Sequence, residues 1–277
     1  MGRRRTSFDE AKIARFLKEG RGAGRGAEYK PWLTTQDVPS SGREHRVFSR
    51  KTGRIHHLLS DGEWRLFLHL EWCDDVQDIR EQFPLDRLET GRIAEQLGVR
   101  HPQDVQTKVR LVMTTDFVVD VVRGGKLMTE ALSFKPSGEL EKPRTLEKLQ
   151  VERSYWELQG VSWRIVTERD LHMVLVRNLE WVRTPAYEFQ EQPWDGHDED
   201  VANHVLKAIT AAPDQSLGTF CSRTDERLSV APGTTLMVVR TLLGAKRIRT
   251  YMTVPINTKT SMKGFLVDGL PSVRSAG

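Results

Sequence analysis

Cysteine is scarce in this chain: Cys73 and Cys221 are the only two in 277 residues, far apart and outside any metal-ligand spacing. That excludes a disulfide scaffold and a cysteine-held zinc, and makes reduced thiols in the cytoplasm the expectation. No run of about 18 apolar residues occurs, so no membrane span is expected. The opening MGRRR is basic but lacks the apolar stretch that a secretory signal carries behind its charges. Neither an internal repeat nor, beyond a glycine-arginine stretch, a low-complexity segment is present. That stretch, GRGAGRGAEYKPWL, has no strand before it and no Gly-Lys-Ser/Thr after it, so a nucleotide-phosphate loop is excluded. A flexible basic arm that touches phosphates fits it better.

What is present suits a soluble, well-cored protein of one large or two ordinary domains, with 38% hydrophobic and 29% charged residues. The net charge of +4 hides an uneven spread. Residues 1–50 carry 12 Lys/Arg against 6 Asp/Glu, residues 180–200 carry 1 against 7, and residues 223–263 carry 8 against 2. Two basic blocks around an acidic one suit two nucleic-acid contacts joined by a linker, or equally a solvated surface with no partner.

Along the chain, Ser7 and Glu10 frame an N-terminal helix that Gly20 stops. A firm helix is predicted over about 60–73, where Trp64, Phe67, Leu68 and Trp72 repeat at helical spacing and face a core. Residues 86–108 read as helix then loop. Two short strands, about 110–122 and 127–135, join at Gly124-Gly125. A helix over 144–160 follows, with Leu146, Leu149, Arg153 and Trp156 along one side, and then a buried strand at 161–167. Helix, strand, strand, helix, strand makes a mixed α/β core with a helix crossing between strands. The C-terminal third reads differently: helices at about 199–211, after Pro213, and at 233–244, then a strand pair in KRIRTYMTVPI. That order suggests a winged helix.

The strand pair carries the chemistry. If it folds back antiparallel through Gly124-Gly125, Asp116 and Lys135 meet at its open end. Asp120 then lies roughly 13 Å further along, since a strand rises about 3.3 Å per residue. An acid on one strand and a lysine on the next is the arrangement of Mg²⁺-dependent nucleases of the restriction-enzyme type. The cation takes one or two carboxylates and keeps waters, one water becomes the nucleophile, and the lysine stabilises the developing charge. A strand-end salt bridge accounts for the same pair. Glu63 is the candidate second carboxylate, although Ser60-Asp-Gly-Glu63 also fits a capping box in which Glu63 bonds back to the Ser60 amide. His56 and His57 suit a phosphate contact or a packed role. The acids of 197–200 suit a helix N-terminus better than a metal cluster. Arg240, Lys246, Arg247 and Arg249 are positioned for DNA phosphates or an acidic protein partner.

The blocks EYKPWLTTQDVPSSGR, KTGRIHHLLSDGE, LEW, DIREQFPL, TTDFVVD and RTLEKLQVERSYW resemble the TnsA family, endonuclease subunits of heteromeric cut-and-paste transposases. The resemblance runs over roughly residues 7–183 and weakens beyond about 185. It implies a type II restriction endonuclease-like mixed-sheet core and a winged-helix-like C-terminal domain. On that reading residues 1–54 form a basic helix and arm belonging to the catalytic domain, 55–183 its core, 184–200 an acidic linker and 201–277 the C-terminal domain. The resemblance implies a Mg²⁺-dependent endonuclease, with Mn²⁺ as a substitute, that cuts the 5′ ends of a transposon. A TnsB-like transposase cuts and joins the 3′ ends, and a TnsC-like ATP-dependent regulator contacts the C-terminal region. The place of action is the bacterial cytoplasm, at the nucleoid when on DNA.

Carried over by position, the catalytic residues are Glu63, Asp116 and Lys135, and the family's glutamate on the following helix is Glu152. Glu63, Asp116 and the Phe134 carbonyl are the metal ligands, with Glu152 ordering the groups behind them. One departure stands out: the family's glutamine two residues before the lysine is Ser133 here, a shorter and weaker ligand. Arg21, Arg25, Lys30, Arg43, Arg46, Lys51 and Arg54 are the candidate DNA contacts. The alternative is an adaptor, inactive because of Ser133, that links the TnsB-like and TnsC-like proteins on DNA.

Overall fold

The structure is a computed structural model describing residues 7–37, 43–191, 196–211 and 214–267. It divides into two compact units, residues 1–171 and 172–277.

In the first unit, helix α1 (Glu10–Lys18) is capped by Asp9, whose carboxylate accepts from the Lys12 amide, and not by Ser7 as the sequence suggested. It buries Ile13 and Phe16 against Trp32. The glycine-rich segment beyond it is not a flexible arm but a packed turn. Trp32 and Tyr29 are buried, and a side chain on Gly22 would lie 2.2 Å from the Pro84 ring. A hairpin follows, β1 (His45–Ser49) with β2 (Arg54–Leu58). Helix α2 (Asp61–Trp72) begins at Ser60, whose hydroxyl accepts from the Glu63 amide. Of its predicted core side chains Phe67 and Leu68 are buried, whereas Trp64 and Trp72 are half-buried, and Leu66 and Leu70 complete the inner face.

The central sheet has four strands in the order β3 (Val76–Pro84), β4 (Thr114–Arg123), β5 (Lys126–Phe134), β6 (Ser162–Val166). β3 was not anticipated, because charges at Asp78, Arg80 and Glu81 interrupt its apolar pattern. Helix α3 (Arg87–Gln96) joins β3 to β4. β4 and β5 are antiparallel, and Gly124 and Gly125 take φ of 56° and 76°, the paired left-handed conformation of a tight hairpin turn. β5 and β6 run parallel, so the chain must cross over between them. Helix α4 (Pro143–Leu158) makes the crossing. Its inner face is Leu149, Val151, Glu152 and Trp156, whereas Leu146 is exposed. β6 is an edge strand with only Val166 buried, so the expectation of a buried strand is corrected.

Each face of the sheet has its own core. Leu66, Phe67 and Leu70 of α2 pack on Ile79, Phe117, Val119, Leu132 and Phe134. Trp156 of α4 packs on Val118 and Ala131, with Phe83 against the same cluster.

In the second unit, helices α5 (Met173–Glu191), α6 (Gly196–Ala208) and α7 (Leu217–Leu228) pack against α8 (Thr234–Gly244). α8 is apolar enough to be buried among them through Val238, Val239, Leu242 and Leu243. The Asp225 carboxylate accepts from the Gly233 and Thr235 amides at its start. A short ribbon, β7 (Ile248–Arg249) with β8 (Leu266–Val267), follows. The stretch anticipated as an acidic linker, 184–200, is helical over 184–191 and 196–200 and lies outside the described residues at 192–195. Among the described residues no helix is long and apolar enough to cross a membrane.

Gly62, inside α2, lies against the Phe134 ring, and a β-carbon there would come within 1.9 Å of it. Overpacking of this kind costs about 1–3 kcal/mol, more than the roughly 1 kcal/mol alanine gains as a helix former. Gly62→Ala is therefore expected to lower the melting temperature seen by circular dichroism. Gly138→Ala, with open space around it, is expected to leave it unchanged.

Candidate active site

Asp116 lies near the start of β4 and Lys135 just past the end of β5, so the antiparallel pairing brings them together at the open end of this central strand pair. The Lys135 ammonium donates to Asp116 Oδ2 at 2.9 Å and to the Phe134 carbonyl at 2.8 Å. Asp116 Oδ2 also accepts from the Phe134 amide at 2.8 Å. One carboxylate thus fixes both the backbone and the side chain at the end of β5. Burial pushes the Lys135 ammonium down, but Asp116, Glu152 and Glu63 outweigh it and hold the ammonium above its ordinary range.

Glu63 is buried in the first turn of α2. Its carboxylate accepts from the Leu59 amide at 2.9 Å and the Ser60 hydroxyl at 3.1 Å. The capping box therefore exists, displaced by one residue, since Glu63 reaches the Leu59 amide and not that of Ser60. Burial, and next the Asp116 charge, push Glu63 up to about 7. Glu152 on α4 is buried as well, and burial and then Asp116 raise it too. Its Oε1 accepts from Ser133, from Thr115 at 2.6 Å and from Trp163 at 3.2 Å. The proton of the Ser133 hydroxyl is committed to this carboxylate.

Gln82 is a residue that the sequence reading missed. Its Nε2 donates to Glu63 Oε2 at 3.3 Å, and its Oε1 accepts from Thr114 at 3.2 Å. Strand alternation breaks here on both neighbouring strands. Thr115 bonds Glu152 and Trp156 on the α4 side while Phe117, two residues on, packs under α2. Ile79 packs under α2 while Phe83, four residues on, packs with Trp156. Regular strands keep such pairs on one face. The DIREQFP block held the signal: a glutamine in a strand between a buried acid and a proline.

Other candidates have different places. Asp120 is paired with Arg80 at 2.6 Å and Arg25 at 2.8 Å, away from Asp116's partners. His56 is buried between Glu81 and Thr52, the packed role. Three of the expected DNA contacts are partly or fully buried and held within the protein. Arg54 is buried and forks onto Glu81, Arg21 bonds Asp37 and the Trp32 carbonyl, and Lys51 bonds the carbonyls of Cys73 and Val76. Lys30, Arg43 and Arg46 are exposed, as is most of Arg25. In the second unit Arg240 is turned inward onto the Trp181 carbonyl.

Two family models match the chain: "TnsA-like endonuclease N terminal" over residues 73–168 and "TnsA endonuclease C terminal" over residues 170–252. Both descriptions place it among endonucleases. The Transposon Tn7 transposition protein TnsA of Escherichia coli is 43% identical over 242 residues, 87% of this chain and 86% of that one. The chain belongs to the TnsA family, and its role is that of the endonuclease subunit of a Tn7-like transposase. A shorter match, 31% identical over 90 residues, is to a peroxiredoxin of Archaeoglobus fulgidus and covers 32% of this chain and 41% of that one.

The raised carboxyl of Glu63 has a consequence for stability. Its folded value of about 7 exceeds the ordinary 4.5, so the folded chain holds this proton more tightly than the unfolded one. The resulting stability is complete below about pH 4.5 and is lost as pH rises through about 7. In EDTA, the wild-type melting temperature is expected to fall between about pH 5 and pH 8, and that of Glu63→Gln, neutral throughout, to fall less. Equal falls would show that Glu63 is not held protonated by its surroundings.

Proposed function

We propose that this chain cuts the 5′ ends of a transposon in a Mg²⁺-dependent reaction, beside a TnsB-like partner that cuts and joins the 3′ ends. A TnsC-like ATP-dependent regulator engages its C-terminal unit, and the work is done on transposon-end DNA at the bacterial nucleoid. Mn²⁺ substitutes for Mg²⁺. The first unit is read as a restriction endonuclease-like core, a mixed sheet with α2 on one face and α4 on the other. The second is read as winged-helix-like, with α6, α7 and α8 ahead of the β7–β8 ribbon.

The observation that carries the reading is that Asp116 Oδ2 and the Phe134 carbonyl already share one cation, the Lys135 ammonium. Two oxygens so placed, with Glu63 close enough for Asp116 to raise its carboxyl, are the hard donors that Mg²⁺ prefers. Among the described residues no cluster of three or more His, Cys, Asp or Glu side chains is set to hold a metal. Glu63, Asp116 and the Phe134 carbonyl would hold the ion, and water would complete its shell, as is usual for Mg²⁺. Bound there, Mg²⁺ supplies an activated water and neutralises charge on the phosphate.

The chain's own residues do the rest. Glu63 and Asp116 hold the ion. Lys135 orients the attacking water and faces the negative charge that grows on the phosphate. Asp116, and after it Glu152, hold the ammonium above its ordinary range, and Glu152 anchors Ser133 and Thr115 behind the site. Lys30, Arg43, Arg46 and Arg25 supply sequence-independent attraction to the DNA backbone, and end recognition is left to the TnsB-like partner.

The test is strand-specific cleavage of transposon-end DNA with the TnsB-like partner and Mg²⁺. Asp116→Ala is expected to abolish 5′-strand cutting, and Lys135→Ala to slow it by about 10²–10³-fold, the cost of removing one charge-stabilising donor. DNA and partner binding should persist in both. Wild type and Asp116→Ala behaving alike would sink the enzyme reading and leave an adaptor.

A further inference from the structure

Gln82 lies in the left-handed region, with φ of 47°, two residues before the end of β3, and it is almost fully buried. A non-glycine residue there costs about 1–3 kcal/mol and persists only where its surroundings impose it. The surroundings that do so are on the glycine-rich turn. The Trp32 amide donates to the Gln82 carbonyl at 3.2 Å, the Tyr29 hydroxyl donates to the Glu81 carbonyl at 3.1 Å, and Gly22 admits the Pro84 ring where no β-carbon fits.

The twist this produces explains why Ile79 and Phe83 belong to opposite cores. It also brings the Gln82 carboxamide to Glu63. Glu63 Oε2 accepts from the Leu59 amide and from Gln82 Nε2, while Oε1 takes the Ser60 hydroxyl. The first and last of these donors belong to the start of α2 and its flank. Gln82 is the donor that ties the carboxylate to the sheet, where Asp116 and Lys135 are. Thr114, two residues before Asp116, holds the other end of the amide at 3.2 Å.

We infer that Gln82 is a positioning residue for the reaction: it fixes the Glu63 carboxylate relative to Asp116 so that both meet one divalent cation, and the glycine-rich turn holds it in the conformation that makes this reach available. The inference rests on the reading of Glu63 and Asp116 as cation ligands. Partners that orient ligands in this way are commonly worth about 10–100-fold in metal affinity or activity.

The test is Mn²⁺ binding by the full chain, followed by electron paramagnetic resonance, alongside thermal melting. Gln82→Gly removes the amide and suits the backbone conformation. Gln82→Met removes the amide and keeps the volume. Asp116→Ala serves as the reference. Both Gln82 variants are expected to bind Mn²⁺ about 10-fold more weakly, with Gln82→Gly melting no lower than wild type because glycine relieves the left-handed strain. In cleavage, the Mg²⁺ concentration for half-maximal rate should rise while the apparent affinity for DNA stays put. If both variants bind Mn²⁺ like wild type and Asp116→Ala does not, this inference fails and the cation reading stands. Wild-type binding by Asp116→Ala overturns the cation reading and this inference with it. A melting temperature lowered in both variants in step with binding makes Gln82 a folding residue only, which also overturns it.

Discussion

A carboxylate taken out of water must be matched by charge or by hydrogen bonds, and the first unit buries five of them: Glu63, Asp78, Glu81, Asp120 and Glu152. How each is matched sorts the structural acids from the candidate catalytic ones. Glu81 is forked by Arg54 and flanked by His56, and these overcome burial and hold it far below the usual carboxylate range. Asp78 and Asp120 share Arg80, and Asp120 has Arg25 as well. Among the described residues Glu63 and Glu152 receive only neutral donors, and both stay above the usual range. A fold built only for stability gains little from acids left in that condition, whereas a site that admits a cation or handles protons does.

The same matching explains why the basic N-terminal block is a poor guide to the DNA-facing surface. Arg21, Arg54 and Lys51 count as positive charge in the sequence, yet each is used inside the protein on carboxylates or carbonyls. Charge counting cannot separate a guanidinium that balances a buried acid from one that meets solvent. Burial separates them: among the described residues of that block it leaves Lys30, Arg43, Arg46 and the outer part of Arg25 exposed, together with Arg15 and Lys18 on α1.

Much of the site was legible because hairpins are local. Two adjacent glycines set the turn, the turn sets the register, and the register puts Asp116 and Lys135 at one end of the hairpin without knowledge of the rest of the fold. Glu63 was legible through its cap, since Ser60 marks where α2 must begin. Gln82 and β3 were not. Their hydrophobic pattern is interrupted by Asp78, Arg80 and Glu81, whose partners, the Gly26 amide, Asp120 and Arg54, lie 27 to 52 residues away. The glycine-rich turn was misread for the same reason: what requires Gly22 to be glycine is Pro84, a contact no local pattern announces.

Ser133 places a hydroxyl where the family resemblance implies a glutamine. In the structure it and Thr115, one from each strand of the hairpin, both donate to a single oxygen of Glu152, and Trp163 adds a third donor. A short side chain is what allows the α4 carboxylate to come that close to the sheet, since a glutamine or glutamate at 133 would occupy the same space. The Glu152 carboxylate of α4 thus lies against β5 at the position where the resemblance implies a glutamine, and its charge acts on Lys135. Seen this way Ser133 and Glu152 form one unit, and a serine two residues before the lysine is no argument for a dead site.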